Sequence, residues 1–135
     1  MKYYRFISVF LLATGLIILI GCRAKNPSRD EIPVIKNLLA KLEAGVRDRN
    51  PAAIDSLIIA DAYSKGYSSE KLLSDVYPDG VGTFLTFAER EFYYSDNNGV
   101  VNCRIKADPA DTGRAIEFDL VKTGGRWLIE KFELK

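Results

Sequence analysis

Apolar residues recur at helical spacing in two segments that follow residue 30. Asp30 and Pro33 suit the first turn of a helix, and a single apolar stripe follows them: Ile35, Leu38, Leu39, Leu42 and Val46. In the second segment Asn50 is a favoured N-cap before Pro51, and the buried edge consists of Ile54, Leu57 and Ile58. The pattern therefore predicts two consecutive helices with one apolar side each.

A third, shorter helical segment covers residues 70–76, after a loop predicted at residues 61–69. The apolar period then changes to two, in "TFLTFAEREFYYSDNNGVVNCRIKA" and again in "AIEFDLVKTGGRWLIEKFEL". Each stretch contains a hairpin signal, Asn98-Gly99 in the first and Gly124-Gly125 in the second. The order of elements predicts an α+β fold, in which N-terminal helices pack on a curled, cone-like meander of four antiparallel strands.

Two-residue turns at these signals fix the predicted registers of both hairpins. Tyr94 is then opposite Cys103, while Leu120 is opposite Ile129 and Lys122 is opposite Trp127. In the middle hairpin only the face can be assigned, and matching apolar residues places Cys103 and Ile105 with Phe118 and Leu120. We expect this face to be the core and the other face to be ionic, with Arg104, Lys106, Glu117 and Asp119.

Polar residues enter the predicted inner face toward the strand ends that lie away from the tight turns. A row containing Phe92, Ile105, Phe118 and Lys131 is followed by a row containing Arg90, Ala107 and Glu133. Polar groups at one rim of a curled sheet favour a pocket whose entrance is polar and open to solvent. Strand ends that the helices no longer cover would give the same pattern. The ligand-pocket candidates are two tyrosines of the 61–69 loop and four strand residues: Tyr63, Tyr67, Arg90, Phe92, Lys131 and Glu133.

The ionic face contains one pair of carboxylates, because the predicted register places Asp119 opposite Glu130. Paired carboxylates can raise each other's pKa and carry out acid–base chemistry. Arg104 and Lys106 on the neighbouring strand are expected to neutralise them, which favours a solvated lattice of ion pairs.

The amino-terminal 22 residues have the pattern of a secretion signal. "MKYYR" is followed by 15 residues without a charge, which is short for a membrane-spanning helix of about 20 residues. The segment ends in "LIGC" and resembles the bacterial lipobox, in which the cysteine becomes the lipid-modified first residue of the mature protein. The resemblance implies a signal peptide at 1–21, a diacylglycerol on Cys22, a tether at 22–29 and a domain at 30–135. An uncleaved short anchor is the alternative.

The lipobox resemblance also implies a location. The mature protein is expected in the bacterial cell envelope, anchored in a membrane through lipid on Cys22, with its domain outside the cytoplasm. In a diderm bacterium the Arg23 that follows, instead of an aspartate, favours the outer membrane. Two or more acyl chains hold a protein stably on a bilayer, whereas one chain does so only marginally.

Composition excludes several classes of function. The chain has no histidine, which excludes Ser-His-Asp and Cys-His nucleophile arrangements and removes the usual ligand of metal sites, so we expect neither a metal nor a cofactor. The 19 basic and 18 acidic residues nearly balance, which argues against electrostatic attraction to nucleic acid or to an anionic bilayer. With Cys22 acylated, Cys103 has no partner in the chain, and a lone thiol in an oxidising compartment is expected to be buried.

The mature domain resembles the nuclear-transport-factor-2-like superfamily. The resemblance rests on "RDRNPAAIDSLIIADAY" and on the closing "EFDLVKTGGRWLIEKFEL", and it extends over residues 30–135. Enzymes of this superfamily, such as ketosteroid isomerases and polyketide cyclases, use an Asp or His base in an apolar cavity. No such base carries over to this chain, so the resemblance implies a non-catalytic binding domain.

Three hypotheses follow for the function. The leading one is a membrane-anchored, non-enzymatic domain that binds a small apolar ligand or a partner protein of the envelope. The second is an envelope isomerase, dehydratase or hydrolase, with Glu133 as the base and Tyr63 or Tyr67 as a proton donor. The third is a structural module that forms a homodimer through its sheet, which charge reversal at Arg104 and Lys106 is expected to disrupt.

Overall fold

The structure is a computed structural model that describes residues 30–135. Four helices precede four strands in this part of the chain, in the order predicted for an α+β fold. The helices are α1 (Ile32–Arg47), α2 (Pro51–Asp55), α3 (Ala60–Ser64) and α4 (Ser69–Val76). The strands are β1 (Thr86–Ser95), β2 (Asn98–Lys106), β3 (Arg114–Thr123) and β4 (Arg126–Leu134). The predicted signal peptide, the tether and Cys22 lie outside the described residues.

The helices begin where the sequence provides caps. The Asn50 side chain accepts a hydrogen bond from the Ala53 amide at 3.1 Å, and the Ser68 hydroxyl accepts one from the Lys71 amide at 3.3 Å. The predicted apolar stripe of α1 is buried against the sheet. One prediction was wrong: α2 ends at Asp55, and the segment expected to be a loop contains the short helix α3.

The four strands form one antiparallel sheet in the order β1-β2-β3-β4, so β1 and β4 are its edges. The hairpin at Gly124-Gly125 has the predicted register, with Leu120 opposite Ile129 and Lys122 opposite Trp127. Both glycines adopt positive φ angles, 56° and 76°, which suits a tight turn between twisted strands.

The first hairpin turns two residues earlier than predicted. Ser95 pairs with Asn98, so the turn consists of Asp96 and Asn97, and Asp96 has a positive φ of 49°. Gly99 is inside β2, opposite Tyr94 and not in the turn. A Cβ atom at Gly99 would lie 3.2 Å from the ring of Trp127, so the absence of a side chain lets the indole pack on the strand.

Two β-bulges change which side chains face the core. The first lies between Ala88 and Glu91 in β1, where Glu89 has a positive φ of 52°. The second lies in β4, where Leu120 pairs with Ile129 but Asp119 pairs with Lys131. As a result Phe132 pairs with Phe118 and is buried, and the prediction that Lys131 and Glu133 face the core was wrong.

The face assignment of the middle strands is confirmed. Cys103 and Ile105 are buried with Phe118 and Leu120, although the residue directly opposite Cys103 is Ile116. The expectation that the Cys103 thiol is buried is also confirmed, and burial raises its pKa to about 12. Among residues 30–135, no helix combines the length and apolarity that crossing a bilayer requires.

Candidate functional site

The inner face of the sheet, where a cone-shaped domain would hold a ligand, is filled by aromatic side chains. The rings of Phe87 and Phe118 are 5.4 Å apart in an edge-to-face contact, and those of Phe118 and Phe132 are 6.3 Å apart. These three phenylalanines have no exposed surface. They come from β1, β3 and β4, so the aromatic row extends from one edge of the sheet to the other.

Further rings close both ends of this row. Phe84, just before β1, packs against Phe87 with ring centroids 4.9 Å apart. Tyr67, one of the predicted pocket residues, packs edge-to-face against Phe132 with centroids 5.4 Å apart. Ring pairs in this geometry add to the stabilisation that burial alone supplies. We call the set Phe84, Phe87, Phe118, Phe132 and Tyr67 the aromatic row.

Arg90 faces the helices, as predicted, but it is already paired. The bulge in β1 turns its guanidinium toward the carboxylate of Glu43 on α1, and its Nε donates to the Phe87 carbonyl at 2.6 Å. Glu43 also accepts hydrogen bonds from the Thr86 hydroxyl at 2.8 Å and from the Phe87 amide at 3.1 Å. The carboxylate therefore joins α1 to the edge strand of the sheet.

The environment of Glu43 favours its charged form. Burial opposes the charge and taken alone raises the pKa, but hydrogen bonds from Thr86 and Phe87 and the charge of Arg90 together outweigh it. The net pKa of Glu43 is below its ordinary value. A carboxylate held ionised and bonded on all sides is suited to structural linkage and is a poor general base.

Lys131 and Glu133 lie on the outer face because the bulge at Glu130 shifts the alternation of β4 by one residue. Their side chains form an ion pair with an N–O distance of 3.0 Å. The hydrogen bond from Lys131 lowers the pKa of the Glu133 carboxyl, and the same bond raises the pKa of the Lys131 ammonium. Glu133 is therefore more firmly ionised than a free glutamate and correspondingly less basic.

The remaining candidates occupy separate places. Tyr63 is exposed on α3, and its hydroxyl donates to the Asp55 carbonyl at 3.2 Å. Burial, followed by the contact with Asp55, raises its pKa. Phe92 is half-buried on β1, with the Lys36 ammonium 5.7 Å from the centre of its ring. Lys36 therefore covers one face of the Phe92 ring at the edge of the sheet.

The structure brings together only part of the predicted rim. Tyr67 and Glu133 line one surface groove of about 340 Å³ beside β4, with Lys71, Asp75, Phe132 and Leu134. Arg90 and Phe92 belong to β1, and two strands separate them from β4, which corresponds to about 14 Å at normal strand spacing. The groove is open to solvent and its walls include the ion-paired Lys71 and Asp75, whose atoms are 2.7 Å apart.

The outer face is ionic as predicted, but its pairs differ from those expected. Glu89 in the bulge of β1 pairs with both Arg104 at 3.0 Å and Lys106 at 3.3 Å. Asp119 is opposite Lys131, so the predicted pairing of Asp119 with Glu130 was wrong. Burial, followed by repulsion from Glu117, raises the pKa of Asp119.

Sequence reasoning missed a buried carboxylate at the start of α1. Glu31 is 9% exposed and accepts hydrogen bonds from the Lys122 ammonium at 2.8 Å and from the Trp127 indole at 2.9 Å. The contact ties the beginning of α1 to the Gly124-Gly125 hairpin. The sequence signal for this contact was the predicted pairing of Lys122 with Trp127 across the turn. That pairing does not identify Glu31, which lies 91 residues before Lys122 in the chain.

Among residues 30–135, no cluster of three or more metal-binding side chains occurs.

Comparison with solved structures identifies the fold of the described domain. The chain matches a protein of unknown function from Shewanella baltica that is described as nuclear-transport-factor-2-like, with a TM-score of 0.50 and 12% sequence identity. The match covers 82% of this chain and 98% of the other. The fold is nuclear-transport-factor-2-like. No family model matches the sequence, and no curated protein matches it significantly.

In this chain the aromatic row, which includes the predicted Tyr67, and the apolar stripe of α1 meet on the inner side of the sheet. The charged candidates Arg90, Lys131 and Glu133 belong to the two edge strands. The similarity concerns the fold alone, so the function depends on the surface and the interior of this particular domain.

Proposed function

We propose that this protein is an envelope lipoprotein, anchored through lipid on Cys22, whose nuclear-transport-factor-2-like domain binds a partner protein through its surface. The domain holds no small ligand in its interior and carries out no catalysis. The observation that favours a surface partner over an interior ligand is the aromatic row. Phe87, Phe118 and Phe132 have no exposed surface and fill the inner face of the sheet.

The electrostatics of the domain support the same function. The base considered in the enzymatic hypothesis, Glu133, is exposed and paired with Lys131, and its pKa is lowered. General bases at neutral pH have raised pKa values, closer to 7. Glu43 faces inward, but its carboxylate is occupied by Arg90, Thr86 and Phe87.

The anchor itself can be tested by replacing the modified residue. In cells that process lipoproteins, the wild-type chain is expected to lose residues 1–21, gain the mass of a diacylglycerol and its acyl chains, and partition into a detergent phase. Cys22→Ser is expected to lose the added mass and the detergent partitioning, because the thioether cannot form. Intact-protein mass spectrometry and phase separation in Triton X-114 measure both.

Cys103→Ser is the matched control, since its thiol is buried in the folded domain and has no lipid to lose. It is expected to keep the added lipid mass and the detergent partitioning of the wild type. Equal mature mass and equal partitioning of Cys22→Ser and the wild type would contradict the anchor.

A further inference from the structure

The segment between α4 and β1, residues 77–85, provides the ring that closes one end of the aromatic row. Tyr77 and Phe84, near the two ends of this segment, are 6% and 8% exposed, and the Phe84 ring packs on Phe87. The residues from 78 to 83 are all exposed, and Val81 among them is 77% exposed. The middle of the segment is therefore not held on the domain by apolar burial. We call residues 77–85 the strap.

Arg49, two residues beyond the end of α1, contacts the middle of the strap. Its guanidinium donates hydrogen bonds to the carbonyls of Gly80 at 2.7 Å and of Gly82 at 3.2 Å. The same group lies 4.0 Å from the centre of the Tyr77 ring, which is a cation–π contact. No carboxylate among residues 30–135 is within salt-bridge distance of it, so the contacts with the strap position the guanidinium.

The backbone of Arg49 has a conformation that favours glycine. Its φ angle is 48°, and helices often end in such a left-handed residue, which is usually glycine because a side chain is strained there. The Arg49 amide donates to the Val46 carbonyl at 3.1 Å, and the Asn50 amide donates to the Gly45 carbonyl at 2.9 Å. Arginine at this position thus ends α1 and directs a guanidinium at the strap.

The other attachments of the strap are mainly at its two ends. The Tyr77 hydroxyl donates to the Val46 carbonyl at 3.1 Å in the interior, and the Leu85 carbonyl accepts a hydrogen bond from Arg47 at 3.1 Å. The Leu85 amide also donates to a carbonyl of β2 at 2.8 Å. The Thr83 hydroxyl reaches a carbonyl of the β2–β3 loop only at 3.5 Å, which is a weak contact. The position of the middle therefore depends chiefly on Arg49.

We propose that Arg49 is the latch of the strap, and that loss of its two carbonyl bonds moves the strap away and opens the apolar interior at the Phe84–Phe87 contact. The inference goes beyond the proposed function, which concerns the surface, and it does not depend on the lipid anchor. The interior is closed while the guanidinium binds both carbonyls and accessible to small molecules when it does not. Glycine at both carbonyl positions leaves the backbone of the strap free to change conformation.

Cys103 reports the opening. Its thiol is buried on the inner face of β2, two residues from Ile105, which pairs with Phe87 across the sheet. The full chain in mild detergent is treated with N-ethylmaleimide, and the labelled fraction of the Cys103 peptide is followed by mass spectrometry. Because the peptide identifies the labelled site, the measurement is the same whether or not Cys22 carries lipid.

Arg49→Gln is expected to speed the labelling of Cys103 about tenfold or more, because it removes two hydrogen bonds from a charged donor. Arg49→Lys keeps the charge but has no planar fork to reach both carbonyls, so it is also expected to label faster than the wild type. Arg126→Gln is the matched control, since it removes the same group from an exposed position at the start of β4. It is expected to label at the wild-type rate.

Urea separates opening of the strap from unfolding of the whole domain. Local opening exposes little surface, so the labelling rate of Arg49→Gln is expected to be nearly constant at low urea, whereas labelling through global unfolding rises steeply. Wild-type labelling rates in Arg49→Gln or in Arg49→Lys would overturn the latch. A steep rise from the lowest urea concentration would overturn it too, because Arg49 would then stabilise the whole domain. Fast labelling of Arg126→Gln would show a general effect of charge and would overturn the assignment to Arg49.

Discussion

Replacing Phe118 with alanine is expected to destabilise the domain by about 4 kcal/mol. The side chain has no exposed surface and lies at the centre of the aromatic row, between Phe87 and Phe132. Truncation removes the ring from both contacts and leaves a cavity, because neighbours fixed to two other strands can close in only partly. Urea unfolding of the mature chain, followed by circular dichroism, measures the change in the free energy of unfolding.

Tyr93→Ala is the matched control, since it truncates an aromatic residue of the same sheet that is 57% exposed. We expect it to cost less than about 1 kcal/mol, because exposed substitutions rarely have large effects. A loss below about 1.5 kcal/mol for Phe118→Ala would show that the inner face is less tightly packed than the ring distances indicate.

Glu43→Ala is expected to cost about 3 kcal/mol. The substitution leaves the half-buried guanidinium of Arg90 without its carboxylate, and it removes the acceptor for the Phe87 amide and the Thr86 hydroxyl. Unpaired donors and charges that are shielded from water are costly. The double variant Glu43→Met with Arg90→Met is expected to lose less than the sum of the two single variants, because it removes both charges together.

The contribution of Glu43 is also expected to depend on pH. Its folded pKa is lowered from an ordinary value of 4.5, so the ionised group stabilises the fold fully above that value. This stability is lost as the pH falls through the lower folded pKa. The stability difference between the wild type and Glu43→Ala should therefore narrow below about pH 4.

Arg47→Ala is the control for the Glu43 network. Arg47 contacts the other oxygen of the same carboxylate at 3.0 Å, but its side chain is 51% exposed, so we expect a loss below 1 kcal/mol. Equal losses for Arg47→Ala and Glu43→Ala would contradict the view that the inward contacts of Glu43 carry the energy.

The sequence predicted those elements whose causes are local. The cap at Asn50 sets the start of one helix, and Gly124-Gly125 sets the register of one hairpin. Asn98-Gly99 does not form the predicted turn, because Gly99 is needed in β2 for the packing of Trp127. The Trp127 ring needs the empty side of Gly99, and Asp96 can take the positive φ that the turn requires.

The candidate site was harder to predict because a single bulge in β4 determines which of its side chains face the core. Alternation along "IEKFEL" places Lys131 and Glu133 with Ile129, but the extra residue at Glu130 exchanges the faces and buries Phe132. Nothing in the local pattern identifies that residue, because the bulge arises from pairing with β3 and from the burial of Phe132 beside Phe118. The partners of Arg90 and of Lys122 were equally unpredictable, because Glu43 on α1 and Glu31 just before it are 47 and 91 residues away in the chain.

The central claim is that the interior of the domain is closed, so that recognition takes place at the surface. Thermal unfolding of the mature wild-type chain and of Phe118→Ala, each with and without saturating benzene, tests this most directly. An apolar cavity of about 150 Å³ stays dry and binds benzene, so we expect benzene to raise the melting temperature of Phe118→Ala and to leave the wild type unchanged. A rise of several degrees in the wild type would contradict the claim, because it would reveal a cavity that the aromatic row does not fill.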